Sequence, residues 1–409
     1  MFIRLVLGIS VLLILVARPA SAHVVSAGAD LRLAQTIAGA EVTVVIRGTP
    51  EVPGPLYVDL VAHQPVPDLV IGLAVGGSAG TVRLLRGRPG TYPAVLQVRD
   101  TGPHELHLKA AAEFSVLPFR VQTPRPATWE MVVYGGFGAT GLLLAAGIVA
   151  GARARRSAAV ALGGLGVAVV IVAATVAVVS PELGDEQRDL GRPNAQAFLS
   201  VTPAQPAVGE EFTVRFDLVD GATGQPADDL AVHHAALAHL VVTSGDGGFF
   251  RHVHPLRTER GRLEARLTAD RAGSYLAHAE FERTDAGGQL VSGRFDVSGP
   301  GGPDLAHTVA WTFPAGRPVM IEVDTGDTGL QSWLGMAGHL ITRDRAGAFL
   351  GHVHEQGGMA STSDGTVTAH GPELRFTVSF PRPGQYFAWV QYARDFEIVT
   401  VPYLIEVTR

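Results

Sequence analysis

The chain has 409 residues and a formal net charge of -6, from 32 Lys and Arg against 38 Asp and Glu, so it lacks the basic excess of a nucleic-acid-binding protein. It contains no Cys, which excludes disulfides, iron–sulfur clusters, thiolate metal sites and thiol nucleophiles and leaves His, Met and carboxylates as metal ligands. Hydrophobic residues make up 47% and charged residues only 17% of the chain, a balance that indicates membrane-embedded segments.

The N-terminus has the pattern of a secretory signal peptide over residues 1–22. Arg4 precedes an apolar run from Leu5 to Val16, and Ala20-Ser21-Ala22 supplies an A-x-A cleavage site. Cleavage there would leave His23 as the mature N-terminus, where a free amine and an imidazole together can chelate a metal. The alternative is that His23 is an ordinary first residue.

Residues 23–128 contain short β-rich runs separated by Gly and Pro turns, for example Glu41 to Arg47 and Leu56 to Val61. Runs of this size and spacing predict an extracytoplasmic Ig-like β-domain. The segment from Pro103 to His107 holds two histidines in this domain. It lacks the alternating HxH form of a strand-borne ligand pair, so a metal role for it is not favoured.

Two apolar runs, Met131 to Ala150 and Ala158 to Val179, carry no charged residue and approach the roughly 20 residues that cross a bilayer. They predict a transmembrane hairpin over residues 129–180 that anchors the protein in the lipid bilayer. The connecting loop 151–157 is Arg-rich, and the positive-inside rule places it in the cytoplasm. Together with the signal peptide, this predicts N-terminal and C-terminal domains on the extracytoplasmic side of the cytoplasmic (inner) membrane of a bacterium.

After a polar linker at residues 181–197 the chain repeats itself, because His239-Leu240 recurs at His339-Leu340 and the later HVH motif recurs at the same offset. The repeat predicts two related β-sandwich domains at residues 198–299 and 304–409. The predicted fold class is therefore mainly β, with one N-terminal and two tandem C-terminal Ig-like or cupredoxin-like sandwiches joined by a two-helix transmembrane hairpin.

In the first copy, Asp246-Gly247 predicts a two-residue hairpin turn. That turn would pair His239 with His254 and Val241 with His252. Because side chains alternate along a strand, the three histidines would share one face of the hairpin. The second copy has the weaker turn signal Ala346-Gly347, and the same offset predicts the same register there.

Three neutral imidazoles at cross-strand spacing suit Cu(II) or Zn(II), and nearby thioethers favour copper over zinc. The histidine triads, one further histidine and two methionines near the second triad are therefore the candidate metal ligands, namely His239, His252, His254, His278, His339, His352, His354, Met336 and Met359. His233 and His234 are further candidates near the first triad. At the position of His278, the second copy has Trp389.

The segments Gly335-Met336-Ala337-Gly338-His339-Leu340, His352-Val353-His354 and Pro383 to Gln391 carry a family resemblance. Over roughly residues 198–409 the chain resembles bacterial exported β-domains of the YtkA-like and FixH-like kind. The resemblance implies an Ig-like or cupredoxin-like sandwich associated with heavy-metal handling, above all of copper, outside the cytoplasmic membrane. The first domain more loosely resembles exported copper-resistance domains that begin with His, but it lacks their Met-rich segment.

Two functions of different classes follow from these patterns. The first is a membrane-anchored extracytoplasmic protein that binds copper, or zinc, for delivery, buffering or sensing, with an extracytoplasmic metalloprotein as a partner. The alternative is a structural or interaction module, in which duplication has copied a polar strand face that is presented to a protein or envelope partner. An enzyme with Glu280 or Glu355 as general base is not expected, since the sequence has no H-E-x-x-H metalloprotease motif.

Overall fold

The computed structural model describes residues 30–49, 51–122, 128–183, 194–284, 286–302, 309–326, 328–356 and 369–409. Over these ranges the protein is mainly β with two long helices, and the predicted fold class is confirmed. The predicted signal peptide, His23 and Met359 lie outside the described residues.

The N-terminal domain is a sandwich of two antiparallel four-stranded sheets, ordered β1-β2-β3-β6 and β5-β4-β7-β8. Alternating apolar side chains such as Leu56, Val58 and Leu60 fill the space between the sheets. The strands are β1 Leu31–Ile37, β2 Ala40–Ile46, β3 Gly54–Ala62, β4 Leu69–Val75, β5 Ser78–Leu84, β6 Gly90–Val98, β7 Gly102–Ala110 and β8 Glu113–Val121.

Two antiparallel helices follow, α1 Thr128–Ala152 and α2 Arg156–Leu183. Each contains a 24-residue span that is long and apolar enough to cross a membrane, with mean hydropathy 1.8 and 2.6. Only 17% and 11% of these spans is buried inside the protein, so their apolar side chains point outward. A Cβ added at Gly136 of α1 would lie 2.8 Å from the Cβ of Ala173, which shows how closely the helices approach.

The first C-terminal repeat has one sheet ordered β14-β15-β10-β9 and a second ordered β11-β16-β12-β13, with β17 paired to β16. Phe212, Phe216 and Phe281 fill its core. The strands are β9 Gln196–Thr202, β10 Glu211–Val219, β11 Leu230–Ala231, β12 Ala238–Ser244, β13 Phe250–Val253, β14 Leu256–Glu259, β15 Arg262–Thr268, β16 Gly273–Arg283 and β17 Gly287–Val297.

The second repeat reproduces this arrangement around a hairpin of β21 and β22, with β21 also paired to β25. Its large sheet contains β18-β26-β25-β20-β23, and β19 pairs with β24. The strands are β18 Val309–Pro314, β19 Pro318–Asp324, β20 Leu330–Gln331, β21 His339–Asp344, β22 Leu350–His354, β23 Ala369–His370, β24 Glu373–Ser379, β25 Gly384–Arg394 and β26 Glu397–Thr408.

The predicted hairpin register is confirmed in both copies. Val241 pairs with His252 in the first, and His339 pairs with His354 in the second. The predicted two-residue turn is wrong. The amide of Ser244 still bonds the carbonyl of residue 249, so residues 245–248 form a four-residue loop in which the Asp246 carboxylate accepts the Gly248 amide. Compared with the predicted two-residue turn, one more residue of each strand belongs to the loop. The pairing of the remaining residues is therefore unchanged.

Candidate metal centre

The two C-terminal repeats pack against each other through the faces that carry the histidines. On β12, Leu240 and Val242 point into the core of the first repeat. His239 and Val241 point the other way, because strand side chains alternate. Apolar side chains from both repeats form a separate buried cluster on that second face, made of Val241, Phe250, Ile341, Phe387, Trp389 and Leu404. The predicted polar strand faces are therefore an interface between domains.

Each predicted triad is brought together by its hairpin. The ligand nitrogens of His239, His252 and His254 lie within 4.8 Å of one another, and so do those of the second triad, His339, His352 and His354. His254 and His339 are 0% exposed and His239 is 1% exposed, so these imidazoles lie deep in the protein.

The two triads also meet each other, which the sequence analysis did not predict. The ring centroid of His352 lies 5.0 Å from those of both His239 and His252, and the His252 and His339 centroids are 6.1 Å apart. A seventh ring, His234, lies 3.8 Å from His354. We refer to the two triads and His234 together as the histidine cluster.

An approximate twofold relation between the repeats organises this cluster. Glu280 and Gln391 occupy equivalent positions, each opposite the first histidine of its own triad in the strand pairing. Each reaches across to the other repeat. His352 Nδ1 donates to the Glu280 carboxylate at 2.8 Å, and His252 Nδ1 donates to the Gln391 amide oxygen at 2.9 Å. Each triad therefore receives a hydrogen-bond acceptor from the opposite repeat.

The hairpin loops follow the same relation. A Cβ added at Gly247 would lie 2.5 Å from the ring of Phe387, and one added at Gly347 would clash with Leu276, the residue equivalent to Phe387. The Arg343 guanidinium donates to the carbonyls of Ser244 and Gly245 at 3.2 Å. The loop of each hairpin is thus seated on the sheet of the other repeat, which fixes the two triads relative to each other.

The N-terminal domain contributes the third acceptor. His254 Nδ1 lies 2.5 Å from a carboxylate oxygen of Glu41, on β2. Thr36, on β1, donates to the other oxygen of Glu41 at 2.6 Å and accepts the backbone amide of His254 at 2.9 Å. A metal-binding histidine typically donates its second ring nitrogen to a carboxylate or carbonyl in this way, which orients the ring and makes it more basic.

Several ring nitrogens of the cluster are buried and have no hydrogen-bond partner among the described residues. They are His254 Nε2, His339 Nδ1 and Nε2, His352 Nε2 and His354 Nε2. Buried polar atoms are usually paired, so such a group of nitrogens indicates a ligand. His239 Nδ1 and His252 Nε2 are 3.1 Å apart. Two nitrogens of a tetrahedral site with bonds of about 2.0 Å are about 3.3 Å apart, so this pair also fits a shared metal.

Burial keeps the imidazoles neutral. Burial, followed by the neighbouring histidines, holds the pKa of His239, His252 and His339 well below the usual value. The same causes lower the pKa of His234 and His354 to about 3. At neutral pH these rings carry no proton on at least one nitrogen, which is the form that binds a metal.

Two of the histidine candidates, His278 and His233, lie outside both triads. His278 shares the interface face but lies outside both triads, where its Nε2 donates to the Gly347 carbonyl at 3.2 Å. Strand geometry explains why His278 lies outside the triad. It pairs with Val241, whereas Glu280 pairs with His239, and two residues along a strand correspond to about 6.6 Å. Met336 lies in a turn with Trp333, and His233 bonds Glu282 at 2.9 Å.

In the N-terminal domain, His104 and His107 are strand residues, of which His104 is half-buried and His107 exposed. His104 stacks on Phe119 and contacts the Asp100 carbonyl at 2.9 Å. These are ordinary surface contacts, and neither histidine belongs to a described group of three metal-ligating side chains.

The residues that sequence reasoning missed are Glu41 and Gln391, and it placed His234 near the first triad, whereas the ring lies beside His354 of the second. Extending the alignment of Tyr275 with Tyr386 by five residues pairs Glu280 with Gln391, so that signal was present. Nothing in the sequence of the N-terminal domain pointed to Glu41, because its contact spans 213 residues of chain.

Trp333 closes one side of the cluster. Its ring centroid lies 4.8 Å from that of His339, and its side chain is 2% exposed. Next to it a cavity of about 500 Å³ lies between the N-terminal domain and both repeats, lined by Glu41, His252 and Gln391 among others. Because His252 and Trp333 line the cavity, it extends to the edge of the histidine cluster.

Comparison with curated proteins gave no match. Among solved structures, an I-band fragment of titin is 10% identical, with 87% of this chain and 93% of that chain covered and a TM-score of 0.16. The FN1-FN3 domains of chicken CNTN1 are 9% identical, with 88% and 97% covered and a TM-score of 0.17. TM-scores this low carry no information about function.

A family described as a domain of unknown function, DUF8832, matches residues 196–298 and again residues 307–409. The two matches coincide with the two β-sandwich repeats that form the histidine cluster, and together they span half of the chain. The chain therefore belongs to the DUF8832 family and carries two copies of its domain in tandem.

Proposed function

We propose that the protein is a membrane-anchored metal-binding protein that holds copper in the histidine cluster and serves copper handling, by delivery, buffering or sensing. One observation carries the proposal. Buried imidazoles from two repeats lie next to one another, with ring nitrogens that have no hydrogen-bond partner among the described residues and with acceptors for Nδ1 at His252, His254 and His352.

The ligand set supports Cu(II) as the preferred ion. All donors in the cluster are imidazole nitrogens, which suit both Cu(II) and Zn(II), and the general order of divalent affinities puts Cu(II) above Zn(II). The earlier argument from thioethers gains no support, because Met336 lies in a turn with Trp333 and Met359 lies outside the described residues. Zn(II) is therefore the competitor to test.

The proposed location is the cytoplasmic membrane of a bacterium, with the three β-domains on the extracytoplasmic side. The support is the pair of apolar helices and the three arginines in and beside their short connection, Arg153, Arg155 and Arg156. An extracytoplasmic metalloprotein is the proposed partner, and the resemblance to YtkA-like and FixH-like domains stays a prediction.

A binding role is proposed in preference to catalysis. Glu280 is one of the two carboxylates considered as the general base of an enzyme. It accepts the hydrogen bond from His352 Nδ1. Its pKa is lowered, because the hydrogen bond and charge of His352 outweigh the effect of burial. A carboxylate held ionised in this way orients a ligand and is not suited to taking up a proton.

The test is metal binding by the full-length protein in detergent. Metal-stripped protein would be titrated with Cu(II), Cu(I) and Zn(II) while the melting temperature and the bound metal are measured. A ligand that binds only the folded state stabilises it by about 2.7 kcal/mol at a free concentration of 100 times Kd, so the melting temperature should rise with Cu(II).

The variants are the triple change of His239, His252 and His254 to Ala and the corresponding change of the second triad. His278→Gln is the matched control, because this buried histidine lies on the same face outside the cluster. Less bound metal in each triad variant, with full binding in the control, supports the proposal. Absence of any metal response in the unaltered protein would contradict it and leave the interaction-module alternative.

A further inference from the structure

We propose that the two triads bind two metal ions side by side, as one dinuclear centre on the approximate twofold axis between the repeats. This inference rests on the proposed function and specifies it. It differs from two independent sites, one in each domain, which is what the internal repeat by itself suggests.

The two triads lie close to each other. Within the triads the ring centroids are 4.8 to 5.5 Å apart. Between the triads two pairs are as close, at 5.0 Å each, and a third is 6.1 Å apart, so no layer of apolar side chains separates the groups. Proteins that bind two ions in one centre hold them about 3.5–4 Å apart, and such a pair fits this spacing of rings.

The number of imidazoles fits two metal ions. Each triad offers three imidazoles whose ligand atoms already lie within 4.8 Å of one another. Three protein ligands per ion is the usual number at a site that keeps one position open. Six imidazoles therefore serve two ions better than one, and His234, 3.8 Å from His354, gives the second triad a fourth donor.

Each repeat supplies a hydrogen-bond acceptor to a histidine of the other repeat. Glu280 of the first repeat orients His352 of the second, and Gln391 of the second orients His252 of the first. Neither triad has its Nδ1 partner within its own domain at these positions. The repeats must therefore dock for either triad to be fully oriented, and docking places the two open positions next to each other.

The inference is tested by electron paramagnetic resonance of the full-length protein in detergent during titration with Cu(II). Two Cu(II) ions in one centre interact magnetically. We expect the signal to grow with the first equivalent, then to broaden or disappear with the second, and a half-field transition to appear at a stoichiometry of two. The triple Ala variant of either triad should bind one ion and give an uncoupled signal.

Three results would overturn the inference in distinguishable ways. Two ions with additive, uncoupled spectra would make the sites independent, and one ion that needs histidines of both repeats would make the centre mononuclear; in both cases the metal-binding function stands. No binding would remove both. If a triple variant fails to fold, the pseudo-equivalent single changes His254→Gln and His354→Gln provide the same comparison, with His278→Gln as control.

Discussion

At His254, the carboxylate of Glu41 decides which ring nitrogen can bind a metal. The carboxylate lies 2.5 Å from Nδ1 and leaves Nε2, which has no hydrogen-bond partner among the described residues, facing the other rings. This single contact also ties the N-terminal domain to the chemistry of the C-terminal repeats. The orientation of one imidazole therefore depends on a residue more than 200 positions away in the chain.

We predict that Glu41→Gln lowers Cu(II) affinity by about 10- to 100-fold, because an amide is a weaker acceptor and no longer makes the ring more basic. Competition titration against a chelator of known affinity measures the change. Glu282→Gln is the matched control, since Glu282 bonds His233, outside the triads, and should leave the affinity unaltered. Equal losses in both variants would contradict a specific role for Glu41.

The lowered imidazole pKa values make the metal-stripped protein sensitive to acid. The pKa of His234 and of His354 falls from about 6.5 in the unfolded chain to about 3 in the folded one. Below pH 6.5 the unfolded chain therefore binds protons that the folded chain excludes, and the free energy of unfolding should fall steadily towards pH 3. Denaturant unfolding at a series of pH values measures this slope.

The double variant His234→Leu with His354→Gln removes two of these groups and should flatten the slope. The second repeat already has Leu334 at the position of His234, so this leucine is compatible with the fold. A stability that stays constant from pH 7 to pH 5 in the unaltered protein would contradict the assignment of buried, neutral histidines.

At the scale of elements, the hairpin loops align the two triads. Gly247 has a φ of +76° and touches the ring of Phe387 in the other repeat. We predict that Gly247→Ala destabilises the protein by about 1–3 kcal/mol more than Gly316→Ala, because the added methyl group must displace the ring. Gly316 has a φ of +77° with no neighbouring atom within 4 Å, so it reports the backbone cost alone. Equal losses in denaturant unfolding would mean that this contact does not hold the repeats together.

The elements also show how far the sequence could be interpreted. The position of the Asp246-Gly247 turn signal and the constant offset between the copies predicted the register of both hairpins, because each pairing is local. The wider loop was missed because Asp246 accepts hydrogen bonds from within the loop and competes with a tight turn. His278 was predicted as a further ligand, but the sequence did not give its position relative to the triad, which it misses by two residues along β16.

The meeting of the triads had a signal that was not used. Leu240, Val241 and Val242 are consecutive apolar residues, and all seven residues of β12 are buried. Such a run is typical of a strand covered on both faces, whereas a half-exposed strand alternates. The run indicates that something packs on the histidine face, but it cannot identify the other repeat as the packing partner, because that contact has no local sequence signature.

At the scale of the whole molecule, three domains meet at one site. Two helices that are long and apolar enough to cross a membrane connect the first domain to the other two. The backbone amide of Ala34 bonds the Ala235 carbonyl at 2.6 Å, and buried Arg257 joins Asp228 of the first repeat to the Val116 carbonyl of the N-terminal domain. The N-terminal domain precedes the helices and the repeats follow them, so if the two helices cross a membrane, these contacts place both parts on the same side of it. A hairpin of two spans satisfies that requirement.

Membrane topology can be tested directly because the chain has no native Cys. We predict that a membrane-impermeant maleimide labels Thr101→Cys and Ser292→Cys in intact cells but labels Ser157→Cys only after lysis. All three positions are exposed on the protein, in the N-terminal domain, the first repeat and the start of α2. Labelling of Ser157→Cys in intact cells would contradict the cytoplasmic placement of the Arg-rich loop.

The most direct test of the central claim is X-ray absorption spectroscopy of the copper-loaded, full-length protein. We predict a first shell of nitrogen atoms at about 2.0 Å from the copper ion, with outer-shell scattering from several imidazole rings and without a sulfur shell. Loss of imidazole scattering in the triad variants would assign those rings to the histidine cluster. A spectrum with only oxygen ligands, or with sulfur in place of imidazole, would contradict the claim that these buried histidines hold the metal.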